Sequence, residues 1–263
     1  MATTQKRYFP KTREELIELV KDEKVHLGEI DVSAVEYMSE IFKNSQRQNF
    51  EGLETWDVGH VKNTIEMFAG AKHFNHDISS WDVSKVEYMS SMFCDCTNFN
   101  QPLDKWDVSK VVGMSHMFAY CTNFNQPLNS WDVSHVVDMS HMFRNCTNFN
   151  QALDKWDVSR AELMNSMFTF CTNFNQPLNT WNVAKVESMG YMFDECKNFN
   201  QPLDKWDVSK VVGMKSMFGG CTKFNQSLDN WDVASVGRMD GMFINCPALK
   251  KLPEWYDKSE WEY

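Results

Sequence analysis

Apolar residues recur along this chain in a fixed order that repeats every 25 residues. The unit that starts at Trp106 shows the order: Trp106, Val108, Val111, Met114, Met117, Phe118, Cys121, Phe124 and Leu128 are apolar, with mostly polar or small residues between them. Trp56, Trp81, Trp106, Trp131, Trp156, Trp181, Trp206 and Trp231 mark one phase of this unit with no insertion or deletion. An exact period of this length predicts a solenoid, in which each repeat is one rung stacked on the last.

The spacing within a rung predicts its elements. Leu103, Trp106 and Val108 read as a short strand after a bend, with Trp106 and Val108 inward and Lys105, Asp107 and Ser109 outward. Val111, Met114, Met117, Phe118 and Cys121 follow at steps of three, three, one and three. These steps predict a short helix, partly 3₁₀. The stretch from Thr122 to Pro127 is turn-rich, and proline closes any helical path. Stacked in parallel, the strands would rise roughly 4.8 Å per rung.

The ends depart from the pattern. Thr12 to Lys21 reads as a short amphipathic helix with apolar Leu16, Ile17, Leu19 and Val20, and Thr12 stands three residues before Glu15 in capping-box spacing. Residues 1–29 are therefore expected to cap the N-terminal end, since an open end rung invites strand pairing. Residues 30–248 form the solenoid: one imperfect rung starting at Ile30, then eight regular ones. The rung starting at Trp56 has Thr64 for the first methionine and Ala71 for cysteine. Residues 249–263 read as a C-terminal cap, with Tyr256-Asp257-Lys258-Ser259 where Trp-Asp-Val-Ser is due and Lys258 at an inward position.

The unit Trp-Asp-Val-Ser-x-Val-x-x-Met-x-x-Met-Phe-x-x-Cys-x-x-Phe-Asn-Gln-Pro-Leu resembles the 25-residue repeat of the BspA-like leucine-rich-repeat surface proteins, a unit also found in mycoplasma lipoproteins. The resemblance spans about residues 30–259. It implies a leucine-rich-repeat-type solenoid and a role in adhesion or binding to host or matrix proteins. Relatives occur in bacteria, protists and large DNA viruses. The resemblance supplies no catalytic residues.

Composition narrows the partners. The formal net charge of −10 over 263 residues argues against nucleic acid and anionic membrane surfaces, which call for dense Lys and Arg. No stretch approaches the roughly 18–20 apolar residues of a membrane span, and Met1 to Pro10 holds no apolar leader. The expectation is a cytosolic or virion-associated protein as the chain stands, and a surface or secreted one if a leader has been removed. Seven of the eight cysteines share one phase (Cys96, Cys121, Cys146, Cys171, Cys196, Cys221 and Cys246), which predicts a reduced, buried column. Cys94 stands outside that column.

Several polar columns run along the stack. An aspartate follows almost every tryptophan, as in Asp107, Asp132 and Asp157, with Asn182 the exception. Like charges one strand apart repel, and three arrangements relieve this. The carboxylates accept hydrogen bonds from the turn and pair with the basic residue three positions on; or Ca²⁺ bridges them, giving a calcium-dependent adhesin; or the stripe meets a basic partner. Asn182, which accepts hydrogen bonds but lacks charge, favours the first. A second column, Asn75 to Asn225, reads as a structural amide ladder.

Functional information is expected where rungs disagree. Lys105, Lys155 and Lys205 alternate with Ser130 and Thr180 before the tryptophans, and Asp104, Asp154 and Asp204 alternate in step with Asn129 and Asn179. Tyr120 and Phe170 share a phase, two rungs apart, and are candidate binding aromatics. His73, His76 and Asp77 are a weak metal trio, and His116 and His141 share a phase in adjacent rungs, where they could titrate near neutral pH.

No nucleophile elbow, phosphate loop or paired base emerges, so enzyme chemistry, a cofactor and a metal centre are not expected. The sequence points to a non-catalytic scaffold that binds a protein partner through its strand face and variable edges. The candidate binding residues are Tyr120, Phe170, Lys105, Lys155, Lys205, Asp107, Asp132 and Asp157. The alternative is an architectural part, such as a minor virion or surface-layer spacer.

Overall fold

A computed structural model describes residues 5–261. It is a stack of 25-residue rungs around one continuous apolar core. The central rungs bury corresponding sets, whereas in the rung from Trp231 Val233 and Val236 are only partly buried. In the rung from Trp106, residues Trp106, Val108, Val111, Met114, Met117, Phe118, Cys121 and Phe124 are all at most 3% exposed.

Aromatic rings register the rungs against one another. Phe118 lies over Phe124 of its own rung at 4.2 Å and over Phe143 of the next at 5.7 Å. The polar atoms of the buried residues are satisfied across rungs as well. The Trp131 indole N–H donates to the Leu103 carbonyl at 2.9 Å, and the Cys121 thiol donates to the Phe93 carbonyl at 2.9 Å. Every cysteine is a free thiol, and the seven in phase are buried. Asn125 donates its backbone N–H to the side-chain oxygen of Asn100 at 2.9 Å, so the amide column is an inter-rung ladder.

The rungs contain neither the predicted helix nor the predicted strand. Among the described residues, regular helix is limited to α1 (Arg13–Lys21), α2 (Lys258–Trp261) and two single 3₁₀ turns, Leu27–Glu29 and Leu53–Thr55. Parallel pairing is reduced to one bridge per rung, such as Gly113 with Asp138, several residues past the expected strand. The reason lies in where the backbone amides go. Met114, His116, Phe118 and Tyr120 donate to Asp138, Ser140, Met142 and Arg144 of the next rung. The amides between them, Met117, Ala119 and Cys121, close tight turns onto Met114, His116 and Phe118.

His116 and Tyr120 have φ of 58° and 64°. A left-handed residue every four positions cannot belong to an α-helix, but it suits the third place of a tight turn. Tandem turns of this kind put Met114, Met117, Phe118 and Cys121 inward at the same steps as a helix would. An identical rung offers carbonyls at every second position, and that ladder takes the hydrogen bonds a helix would have kept to itself.

α1 is capped by Thr12, whose hydroxyl accepts from the Glu15 amide at 3.2 Å. The Glu15 carboxylate reaches back one residue further than a capping box requires, accepting from the Lys11 amide at 2.6 Å. Leu16 and Val20 enter the common core. Arg47, 4% exposed, pins the region: its guanidinium donates to the carbonyls of Val20, Asp22, Val25 and Asn49.

At the other end the expectation for Tyr256 is corrected. Trp255, one residue early, continues the tryptophan stack on Trp231 at 6.4 Å and donates its indole N–H to the Leu228 carbonyl at 2.9 Å. Tyr256 packs edge-on against Phe243 instead. Lys258 is exposed rather than inward. Residues 1–4 of the expected N-terminal cap and 262–263 of the C-terminal cap lie outside the described residues. No helix among the described residues is long and apolar enough to cross a membrane.

Candidate functional site

The turn ladder leaves one face carrying two columns of left-handed residues. One runs through Ser91, His116, His141, Ser166 and Tyr191; the other runs through Asp95, Tyr120, Asn145, Phe170 and Glu195. Most occupants are small, amide or charged. Tyr120, Phe170 and Tyr191 are the large aromatic exceptions: Tyr120 and Phe170 are each 38% exposed and Tyr191 36%, with φ of 64°, 60° and 60°. An aromatic L-residue in this conformation costs about 1 kcal/mol or more.

Arg144 connects Tyr120 and Phe170. Its carbonyl accepts from the Tyr120 amide, and its guanidinium carbon lies 5.7 Å from the Tyr120 ring centroid. On its other side Arg144 and Phe170 line a common trough of about 690 Å³. The floor is open because Gly190 and Gly213 carry no side chain there, and a Cβ on Gly213 would meet nothing within 4 Å. Tyr191 and Phe170 supply aromatic walls. Lys215, whose ammonium lies 5.9 Å from the Tyr191 ring centroid, and Arg238 complete a set of three cations with Arg144.

The lining holds one carboxylate, Asp194. Burial, followed by its neighbour Glu195, pushes this group up to about 6, while Arg144 opposes the shift. Arg238 is paired with Asp240 at 3.4 Å. Among the described residues neither Arg144 nor Lys215 makes an ion pair, and the buried Arg144 Nε has no hydrogen-bond partner.

His116 and His141 do stack, with ring centroids 4.3 Å apart. Of the two, His141 is held well below neutral titration. Burial, with His116 and Arg144 adding to it, lowers His141 to about 4; His116 is lowered by burial as well. His141 Nε2 meets the Asn165 amide at 3.2 Å, which leaves its Nδ1 buried without a partner at the trough margin.

The other candidates lie elsewhere. Asp107, Asp132 and Asp157 each accept the amide of the serine two positions on at 3.0 Å; the side chain of that serine, and then its amide, hold the carboxyls of Asp132 and Asp157 below the usual range. The expected ion pairs with Lys110, His135 and Arg160 do not form among the described residues; the local turn satisfies each carboxylate first. No group of three or more His, Cys, Asp or Glu able to hold a metal occurs among the described residues, and His76 faces Glu54 at 2.6 Å.

Lys105, Lys155 and Lys205 are exposed, and the alternation around them has a structural role. Asn129 donates to the Asp154 carboxylate at 2.9 Å and accepts the Lys155 amide at 3.0 Å, while the Ser130 hydroxyl donates to the Asp104 carbonyl. Asn179 repeats this with Asp204 and Lys205, and Thr180 with Asp154. The Asp-Lys and Asn-Ser/Thr rungs are thus complementary halves of an inter-rung hydrogen-bond code. Lys205 borders a separate shallow depression with Asp207 and Asn182.

Of the candidate binding residues, only Phe170 lines the trough, with Tyr120 adjoining it through Arg144; the stacked His141 lies at its margin. Arg144, Tyr191, Asp194, Lys215 and Arg238 were not anticipated. Their signal was available. Arg144 shares its phase with Ala119, Thr169 and Gly219, and Lys215 shares its phase with Ser115 and Gly190.

The repeat also fixes the chain's affiliation. The model of the family described as Mycoplasma protein of unknown function, DUF285, matches residues 14–130, 101–193 and 145–256. The chain belongs to that family. The overlapping matches show that the DUF285 unit is repeated along nearly the whole solenoid, so the turn ladder described above is the DUF285 repeat seen in three dimensions. No curated protein matches this DUF285 chain significantly.

Proposed function

We propose that this DUF285 protein is a non-catalytic recognition scaffold that binds a protein partner through its turn-ladder face. The observation that carries the reading is the Tyr120–Arg144–Phe170 group. Two aromatics are held half-exposed in a conformation that disfavours them, with an arginine between them that makes no ion pair among the described residues. Strained residues persist where something other than folding retains them, and Tyr and Arg are enriched among residues that dominate interface energetics. The rigid stack limits the ordering entropy that binding would cost. We also read the repeat as a variant of the BspA-like leucine-rich-repeat unit. Its Trp-Asp-Val-Ser and Phe-Asn-Gln-Pro-Leu segments and its parallel stacking support that affiliation and the adhesion role it implies.

The test is affinity capture from a source-cell lysate with three baits: the parent chain, Tyr120→Gly with Phe170→Gly, and Lys105→Ser with Lys155→Ser and Lys205→Ser. Glycine removes each ring and accepts the left-handed backbone. The expected result is a partner held by the parent and the lysine variant and lost by the glycine variant. A partner lost only by the lysine variant would move recognition to the tryptophan edge. Capture of nothing specific would favour an architectural role.

A further inference from the structure

The trough beside Phe170 is a cationic concavity in an acidic protein. The chain carries a formal charge of −10, yet Arg144, Lys215 and Arg238 converge on one trough with Asp194 as its single carboxylate. Two of these cations have no carboxylate partner among the described residues, and the Arg144 Nε is buried without an acceptor. Each instead lies near an aromatic ring, Arg144 by Tyr120 and Lys215 by Tyr191. Such positions keep a guanidinium or ammonium desolvated and leave its hydrogen-bond donors free for an incoming acceptor.

The dimensions also speak to the occupant. About 690 Å³ falls within the roughly 300–1,000 Å³ of sites that enclose a compact group, which suits one or two side chains rather than a folded domain. The walls are apolar: Phe170 and Tyr191 offer contact area that a bare inorganic anion cannot use. A nucleic-acid backbone needs a long basic track, and here the trough is flanked by Asp194 and Glu195.

We propose that the trough receives an acidic segment of the partner protein, with a side-chain carboxylate taken by Arg144 and Lys215 and an adjoining apolar or aromatic residue against Phe170 and Tyr191. This rests on the reading of the turn-ladder face as a recognition surface. Arg144 can offer a carboxylate two parallel N–H donors, whereas Lys215 acts as a point charge. Asp194 is a repulsive element in the same trough, so it selects against segments whose charge is placed on its side.

The test is fluorescence anisotropy with a fluorescein-labelled, glutamate-rich peptide bearing a central tyrosine, titrated with the full chain at low salt. Saturable binding is expected. It should weaken about tenfold or more in Arg144→Gln with Lys215→Gln, weaken less in Arg144→Lys, which keeps the charge but loses the paired donors, strengthen in Asp194→Asn, and be unchanged in the triple lysine-to-serine variant. Gain in Asp194→Asn guards against a trivial folding failure of the glutamine pair. Absence of saturable binding, equal affinity in the glutamine pair, displacement by equimolar inorganic phosphate, or preferential binding of single-stranded polyuridylate would each overturn the proposal. If the peptide fails while lysate capture still depends on Tyr120 and Phe170, the trough assignment falls and the recognition face stands. If the peptide binds at the trough but no partner is captured, the reverse holds.

Discussion

Asp194 occupies the space that a side chain on Gly219 would need: a Cβ at Gly219 would lie 2.6 Å from Asp194 Oδ1. One residue on, a Cβ at Gly220 would lie 2.5 Å from Glu195 Oε1. Two adjacent carboxylates are therefore folded over two adjacent glycines of the next rung, and the trough's only acid is held half-buried there.

The two glycines should respond differently to alanine. Gly220 has φ of 68°, so Gly220→Ala adds backbone strain to the clash and is expected to destabilise by about 1–2 kcal/mol. Gly219 has no such φ, and its clash is with the end of a movable side chain. Gly219→Ala should displace the Asp194 carboxylate towards water with little loss of stability. An NMR titration of that carboxyl carbon would then show its pKa falling from about 6 towards the ordinary range.

Asp194 gives stability a pH signature of definite sign. Its folded value of about 6 lies above the unfolded 3.8, so folding favours the protonated form. The contribution is fully present below about 3.8 and is lost as pH rises through about 6. Asp194→Asn should therefore raise the denaturation midpoint at pH 7 more than at pH 4. Because the group is only half-buried, solvent screening reduces the difference to roughly 0.5–1 kcal/mol. Urea melts of both proteins at the two pH values would measure it.

The indole column supplies hydrogen bonds as well as bulk. Trp131→Phe would remove the donor to the Leu103 carbonyl and leave a buried acceptor unmatched, in addition to lost packing. A loss of about 2–4 kcal/mol is expected from chemical denaturation.

Arg47 is predicted to hold the N-terminal region to the stack. Arg47→Met keeps the volume but strands the carbonyls of Val20, Asp22, Val25 and Asn49. The expected loss is about 2–4 kcal/mol, with amide exchange in Arg13–Lys21 rising before exchange in the central rungs.

Much of the architecture was legible because every rung poses the same packing problem. The exact tryptophan period, the buried cysteines and the Asn ladder follow from stacking like on like. The helix was misread for a physical reason: tandem turns with left-handed residues at His116 and Tyr120 produce the inward steps of a short helix, and apolar spacing cannot tell them apart. At the C-terminal end, a one-residue shift hid Trp255 in the role expected of Tyr256. The trough was least legible, since it depends on missing side chains at Gly190 and Gly213 and on cations drawn from different rungs. The Lys and Ser/Thr alternation drew attention as variation, whereas its hydrogen bonds make it part of the stack.

The central claim is that recognition belongs to the turn-ladder face and not to the tryptophan edge. Site-specific photo-crosslinking in a source-cell lysate tests it most directly, with the crosslinking side chain placed at position 170 in one protein and at 155 in another. A discrete adduct from 170 and none from 155 is the predicted result. An adduct from 155 alone, or none from 170 under conditions where the protein is folded, would contradict the account.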